Sequence, residues 1–100
     1  MDCREGCTFT YSNGKAWLIG GIGERVISKI VSFDPKTFEF EQMKAEKCSR
    51  MPRFNHTSIA FNGQIYIYGG ERYSNTAFSS KTVSSDMVAF QTGNLKIYHL

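Results

Sequence analysis

Asn62-Gly63-Gln64-Ile65-Tyr66-Ile67-Tyr68-Gly69-Gly70 is the stretch that decides the fold. An Asn-Gly pair between apolar runs predicts a β-hairpin, because a type I′ turn needs positive φ at both central residues and these two tolerate it best. The run after the turn is rich in β-branched and aromatic side chains, which suit a pleated, half-buried strand. Ser58-Ile59-Ala60-Phe61 supplies the arm leading into the turn, and the double glycine ends the arm leading out.

The same pattern stands 49 residues earlier, with Asn13-Gly14 for Asn62-Gly63, Trp17 for Tyr66, Leu18 for Ile67 and Gly20-Gly21 for Gly69-Gly70. That offset also lays Arg4 on Arg53 and Cys7 on His56. Further on the offset becomes 57, which lays Val31-Ser32-Phe33 on Val88-Ala89-Phe90 after an insertion of eight residues. Self-similarity at such a period is the mark of a repeat architecture. Ile30-Val31-Ser32-Phe33 is followed by Asp34-Pro35-Lys36-Thr37, a turn in which Pro35 has the φ that a type I turn requires. Phe38 and Phe40 then alternate with Glu39 and Glu41 at the period of a half-exposed strand. Glu39 to Cys48 contains the best helix formers of the chain and is expected to serve as a connector between units. Each unit thus predicts four short strands, eight in all, an all-β chain of two antiparallel four-stranded modules, residues 1–50 and 51–100.

The pattern Arg53-x-x-His56, Asn62-Gly63, Ile65-Tyr66-Ile67-x-Gly69-Gly70 resembles the kelch repeat, and the first unit resembles it again in Phe33-Asp34-Pro35-x-Thr37. Cys7 stands where the family has histidine in the first unit, and Gln91-Thr92-Gly93-Asn94 replaces its Asp-Pro turn in the second. The resemblance implies two blades of a kelch-type β-propeller, a fold that closes with about 4–8 blades. Two blades leave the ring incomplete, so the chain is expected to be a fragment of a longer propeller or a protomer that needs further blades or self-association. Trp17, Phe33, Tyr66 and Phe90 are expected to line the two outward faces of the pair, and Glu71 to Ser85 to form a long loop on one rim.

The resemblance also implies a function and its residues. Kelch propellers serve as protein-interaction modules that recruit substrates to ubiquitin ligases or contact the cytoskeleton, so a ubiquitin-ligase component or actin is the expected class of partner. The rim opposite the Asn-Gly turns would carry the contact residues Arg4, Arg25, Arg53, Phe54, Glu71, Arg72 and Tyr73. Arginine suits acidic peptides through its forked donors, and tyrosine is a frequent hot-spot side chain. Asn13, Gly14, Asn62 and Gly63 are expected as turn residues, and Gly20, Gly21, Gly69 and Gly70 as packing residues.

Two other readings compete with binding. One is a truncated structural remnant without a binding face of its own. The other is a slice of a propeller enzyme resembling galactose oxidase, whose copper site needs tyrosines and histidines converging from several blades. The chain has only two histidines, and His56 has no nucleophile beside it in sequence, so no enzyme activity, no metal and no cofactor are expected. Gly20-Gly21-x-Gly23 lacks the lysine and hydroxyl residue of a phosphate loop.

Composition narrows the remaining classes. With 41% hydrophobic, 14% aromatic and 21% charged residues the chain is that of a globular protein and not a disordered tail. The net charge of +3 is slight and its basic residues are interleaved with acids, so neither nucleic acid nor membrane is an expected partner. Cys3, Cys7 and Cys48 make an odd set without zinc-ligand spacing, which suggests reduced thiols. With no apolar leader after Met1 and no run long enough to span a bilayer, the expected location is cytoplasmic.

Overall fold

The computed structural model describes residues 4–27, 29–44, 52–74 and 77–100. Strands β1 (Thr8–Ser12), β2 (Lys15–Ile19), β3 (Lys29–Asp34) and β4 (Glu39–Lys44) form one antiparallel meander in the order β1-β2-β3-β4. In the second half, β5 (Thr57–Phe61), β6 (Gln64–Tyr68), β9 (Met87–Gln91) and β10 (Lys96–His99) form another, in the order β5-β6-β9-β10. The chain is all-β, and the two meanders fall on one another at the two offsets read from the sequence.

The turns repeat as faithfully as the strands. Asn13 and Gly14 have φ of 55° and 79°, and Asn62 and Gly63 have 50° and 75°, the paired positive values of a type I′ hairpin. At the far end of each meander, Phe38 and Leu95, 57 residues apart, close the β3-β4 and β9-β10 connections at φ 61° and 59°. The Phe38 amide donates to the Asp34 carbonyl at 2.7 Å, and the Asp34 carboxylate accepts from the Lys36 amide at 2.9 Å. The Asp-Pro and Gln-Thr-Gly-Asn sequences therefore make turns that close alike.

The structure corrects three expectations. Glu71 to Ser85 is not a bare loop: β7 (Glu71–Ser74) and β8 (Ala77–Val83) pair as a two-stranded hairpin, which raises the strand count to ten. Glu39 onward is strand β4 as far as Lys44; the rest of the expected connector lies outside the described residues. Trp17 and Phe90, expected on outward faces, are buried against each other between the sheets, with ring centroids 5.1 Å apart at 74°.

That pair shows how the sheets stack. Along β2 the side chains alternate, so Trp17 and Ile19 face the second sheet while Ala16 and Leu18 face away. Cross-strand register adds Ile30 and Met43 to the inner face. From the other side Ile65, Ile67, Val88 and Phe90 complete the core, with Ala60 and Ile97 at its margin. Edge-to-face packing of this kind is worth about 0.5–1.5 kcal/mol beyond the area it buries. The face of one sheet thus meets the opposite face of the next, a head-to-tail stack.

Candidate interaction site

Each unit begins with an arginine that clamps its own double glycine. The Arg4 Nη1 donates to the Gly20 carbonyl at 3.0 Å and reaches the Lys29 carbonyl at 3.4 Å. Arg53, the same step later, donates from Nη1 to the Gly69 carbonyl at 2.9 Å and from Nη2 to the Asp86 carboxylate at 3.0 Å. The residue after each arginine bridges the residue after each double glycine: Glu5 pairs with Ile22, and Phe54 with Glu71. These bridges knit the loops entering the first strand of each meander to the loops leaving its second strand, so they share one rim.

The rim was expected to bind through seven residues, and the structure divides them. Arg53 is 0% exposed and Phe54 is buried as well, so neither presents its side chain to a partner; this corrects the sequence expectation. The physical reason is the carbonyl and carboxylate that Arg53 satisfies, which keep a guanidinium inside the protein by pairing its charge. Arg4 is half-buried in the matching clamp. Phe54 instead supports Tyr73, whose ring stacks on it with centroids 5.8 Å apart at 24°. Glu71, Arg72 and Tyr73 are half-buried on β7, and Arg25 is exposed on the bend after Gly23 in the first unit.

Residues that the sequence reading did not single out organise this rim. The Asn55 side-chain amide donates to the Glu71 carboxylate at 2.8 Å, and Lys81 on β8 lies 3.1 Å from it. Those two hydrogen bonds, with the charge of Lys81 added, hold the Glu71 carboxyl below its usual range. Asp86 is pushed up by burial but pulled below its usual range on balance by Arg53, through both its hydrogen bond and its charge, with Arg72 adding to the pull. His99 Nε2 lies 3.4 Å from the same Asp86 oxygen. Alignment of the two units does not predict Asp86, because Lys29 stands at its position in the first.

Inside the rim a polar seam runs between the sheets. Thr8 Oγ1 and His56 Nε2 are 3.0 Å apart, and Thr10 and Ser58 hydroxyls 2.6 Å apart. Backbone bonds join them: the Gly21 amide donates to the Arg53 carbonyl at 2.8 Å and the Asn55 amide to the Gly6 carbonyl at 2.7 Å. Burial, with help from the Arg53 charge, pushes His56 down from 6.5 to about 4, against an opposing hydrogen bond to the Ile19 backbone. The unfolded chain therefore takes up this proton well before the folded one does, and stability falls as pH drops from 6.5 towards 4. Urea unfolding at a series of pH values should show a loss approaching about 1.4 kcal/mol per pH unit in that window. Above about pH 5.5 the loss should vanish in His56→Asn, the remaining loss at lower pH coming from the Glu71 and Asp86 carboxyls that the fold holds below their usual range; a wild-type curve as flat as the variant's above that pH would remove His56 from the seam's energetics.

Among the described residues no three of His, Cys, Asp and Glu gather as a metal centre, and none of the described residues forms a helix long and apolar enough to cross a membrane. Cys7 is a free thiol.

No protein-family model matches the chain, and no curated protein matches it. Among solved structures it is similar to that of YjhT, with a TM-score of 0.78 at 17% identity. The match covers 96% of this chain and 37% of YjhT, so the chain spans well under half of that protein's length. The shared feature is the fold of the paired meanders.

Proposed function

We propose that the chain is a protein-interaction module, a two-blade portion of a kelch-type β-propeller whose arginine-and-glycine rim, topped by the β7-β8 hairpin, recognises a protein partner. One observation carries this reading. Two units with matching strands, turns and clamps differ chiefly where the double glycine gives way to the third strand of each meander. In the first unit that connection is a short bend carrying Arg25; in the second it is a hairpin carrying Arg72 and Tyr73. A regular scaffold with variable, side-chain-rich connections on one rim is how repeat folds build binding faces. The extent of the YjhT match supports the propeller: two units filling 37% of that chain leave it room for roughly three to four more, within the usual range of blades.

The partner class follows from the kelch resemblance, a ubiquitin-ligase component or actin, and the rim chemistry suits an acidic segment. Arg25→Ala with Tyr73→Ala removes an exposed cation and the outer ring of the Phe54 stack while leaving the buried clamps intact. Co-sedimentation with actin filaments, and affinity measured for any ligase subunit recovered from lysate, should fall at least tenfold in the double variant. A change in neither binding, with the melting temperature unaltered, would reject this rim as the binding face.

A further inference from the structure

We infer that copies of this chain assemble head to tail, the outer face of the second sheet of one copy seating on the outer face of the first sheet of the next. The inference rests on what the two open sheet faces contain. On the first sheet, Phe9 and Tyr11 are 63% exposed beside Leu18, Phe33 and Phe40. On the second, Ile59 is 67% and Phe61 64% exposed beside Tyr66, Tyr68 and Tyr98. Open apolar faces of this kind mark an interaction surface.

Their occupant is indicated by the seam that the chain already makes. Shifted by the repeat offsets, the outer face of the second sheet is the counterpart of the first sheet's inner face, and the outer face of the first is the counterpart of the second's inner face. The two open faces are therefore the two halves of one further seam. Their side chains correspond pair by pair. Trp17 and Phe90 stack across the existing seam, and their counterparts, Tyr66 and Phe33, offer a second aromatic pair. Thr10 and Ser58 share a hydrogen bond across it; at the open faces both positions have turned apolar together, to Ile59 and Phe9. Thr8 meets His56, and the open faces offer the small pair Thr57 and Cys7. A hydroxyl facing an unrelated apolar residue at these positions would leave a buried donor without a partner, whereas matched changes on both halves keep the seam intact.

A heterologous contact of this kind closes into a ring or runs on as a filament. Two sheets per copy and the usual blade number allow rings of roughly two to four copies, and the fraction of YjhT that one copy matches favours three. Only that number depends on the propeller reading; the head-to-tail order rests on the paired faces, and neither depends on what the rim binds.

Sedimentation velocity and light scattering on the purified chain test it, together with Tyr11→Glu, which blocks one face, and Phe61→Glu, which blocks the other. Circular dichroism of each variant verifies its fold. The wild type should sediment as three chains and each variant as one, while an equimolar mixture of the two variants should give a species of two chains and nothing larger. Two- or four-chain wild-type species with the same mixing result would uphold the head-to-tail order and overturn the number. A wild type that stays monomeric at 100 µM, on the order of a weak contact's Kd, would overturn the inference and leave these faces to further units of a longer polypeptide. Variants that each pair with themselves would overturn it too, since that requires like faces to meet.

Discussion

Arg53→Met is expected to lower stability by about 3 kcal/mol, the lower end of the cost of breaking a buried ion pair, and to lower the melting temperature by roughly 12 °C or more at fixed protein concentration. The substitution leaves an apolar chain of similar length in the site, so the loss comes from the polar groups stranded there. Asp86 would keep a largely buried carboxylate with Arg72 and His99 nearby but no guanidinium hydrogen-bonded to it from Arg53, and the Gly69 carbonyl would lose its Arg53 donor. Arg53→Lys should recover little, because one ammonium cannot reproduce a planar fork that reaches a carbonyl and a carboxylate at once. Arg53→Met combined with Asp86→Asn should cost less than the two single changes added together, since each alone strands a charge and the two together leave none. In the first unit the Arg4 guanidinium is half-buried and donates to two carbonyls, and losing those bonds in Arg4→Met should cost about 1 kcal/mol. Equal, small losses at both arginines would show that Asp86 does not matter and that the clamp is ordinary surface chemistry.

This asymmetry was not legible in the sequence, and the reason is physical. Both arginines sit 16 residues before the glycine whose carbonyl they hold, a spacing visible in the chain. An arginine read alone is most often solvated, and the carboxylate that lets Arg53 be fully buried lies 33 residues away, just after the segment that breaks the repeat. Its recurrence ahead of each double glycine was the one available sign of a structural task. The strands, the turns and the doubling were legible because each rests on local chemistry: Asn-Gly fixes a hairpin, and a hairpin with alternating apolar residues fixes a register. Which side of each sheet would be covered was not legible in the same way. Trp17 and Tyr66 are equivalent by position, yet one is buried in the seam and the other lies on an open face, because the second sheet covers that side of the first. The β7-β8 hairpin escaped for a third reason: its counterpart in the first unit is the single bridge between Ile22 and Val26, and neither of the strands that lengthen it in the second unit shows a clean alternation.

The double glycine supplies the second large effect. Gly20 has φ of 69°, and a Cβ placed there would collide with His56 Cε1 and stand 2.5 Å from the Arg53 carbonyl oxygen. Alanine in the left-handed region costs roughly 1–2 kcal/mol by itself, and overfilling a packed site adds roughly 1–3 kcal/mol. The Arg53 carbonyl cannot retreat easily, because it accepts the Gly21 amide across the seam and its own side chain is clamped to Gly69. Gly20→Ala should therefore cost roughly 2–5 kcal/mol, with both terms at work. Gly69 is the matched control: it has φ of 71° and the same place in its motif, but a Cβ there meets nothing closer than the Ser84 carbonyl at 3.5 Å. Backbone strain is common to the two positions and the adjoining sheet is present at only one, so the difference between the variants isolates the clash at the seam. Measured by urea unfolding in the Tyr11→Glu background, which blocks one open face, Gly69→Ala should lose only the strain term of about 1–2 kcal/mol. Equal losses at Gly20 and Gly69 would mean that the glycines serve the turn alone and that the two sheets do not meet as closely as the structure places them.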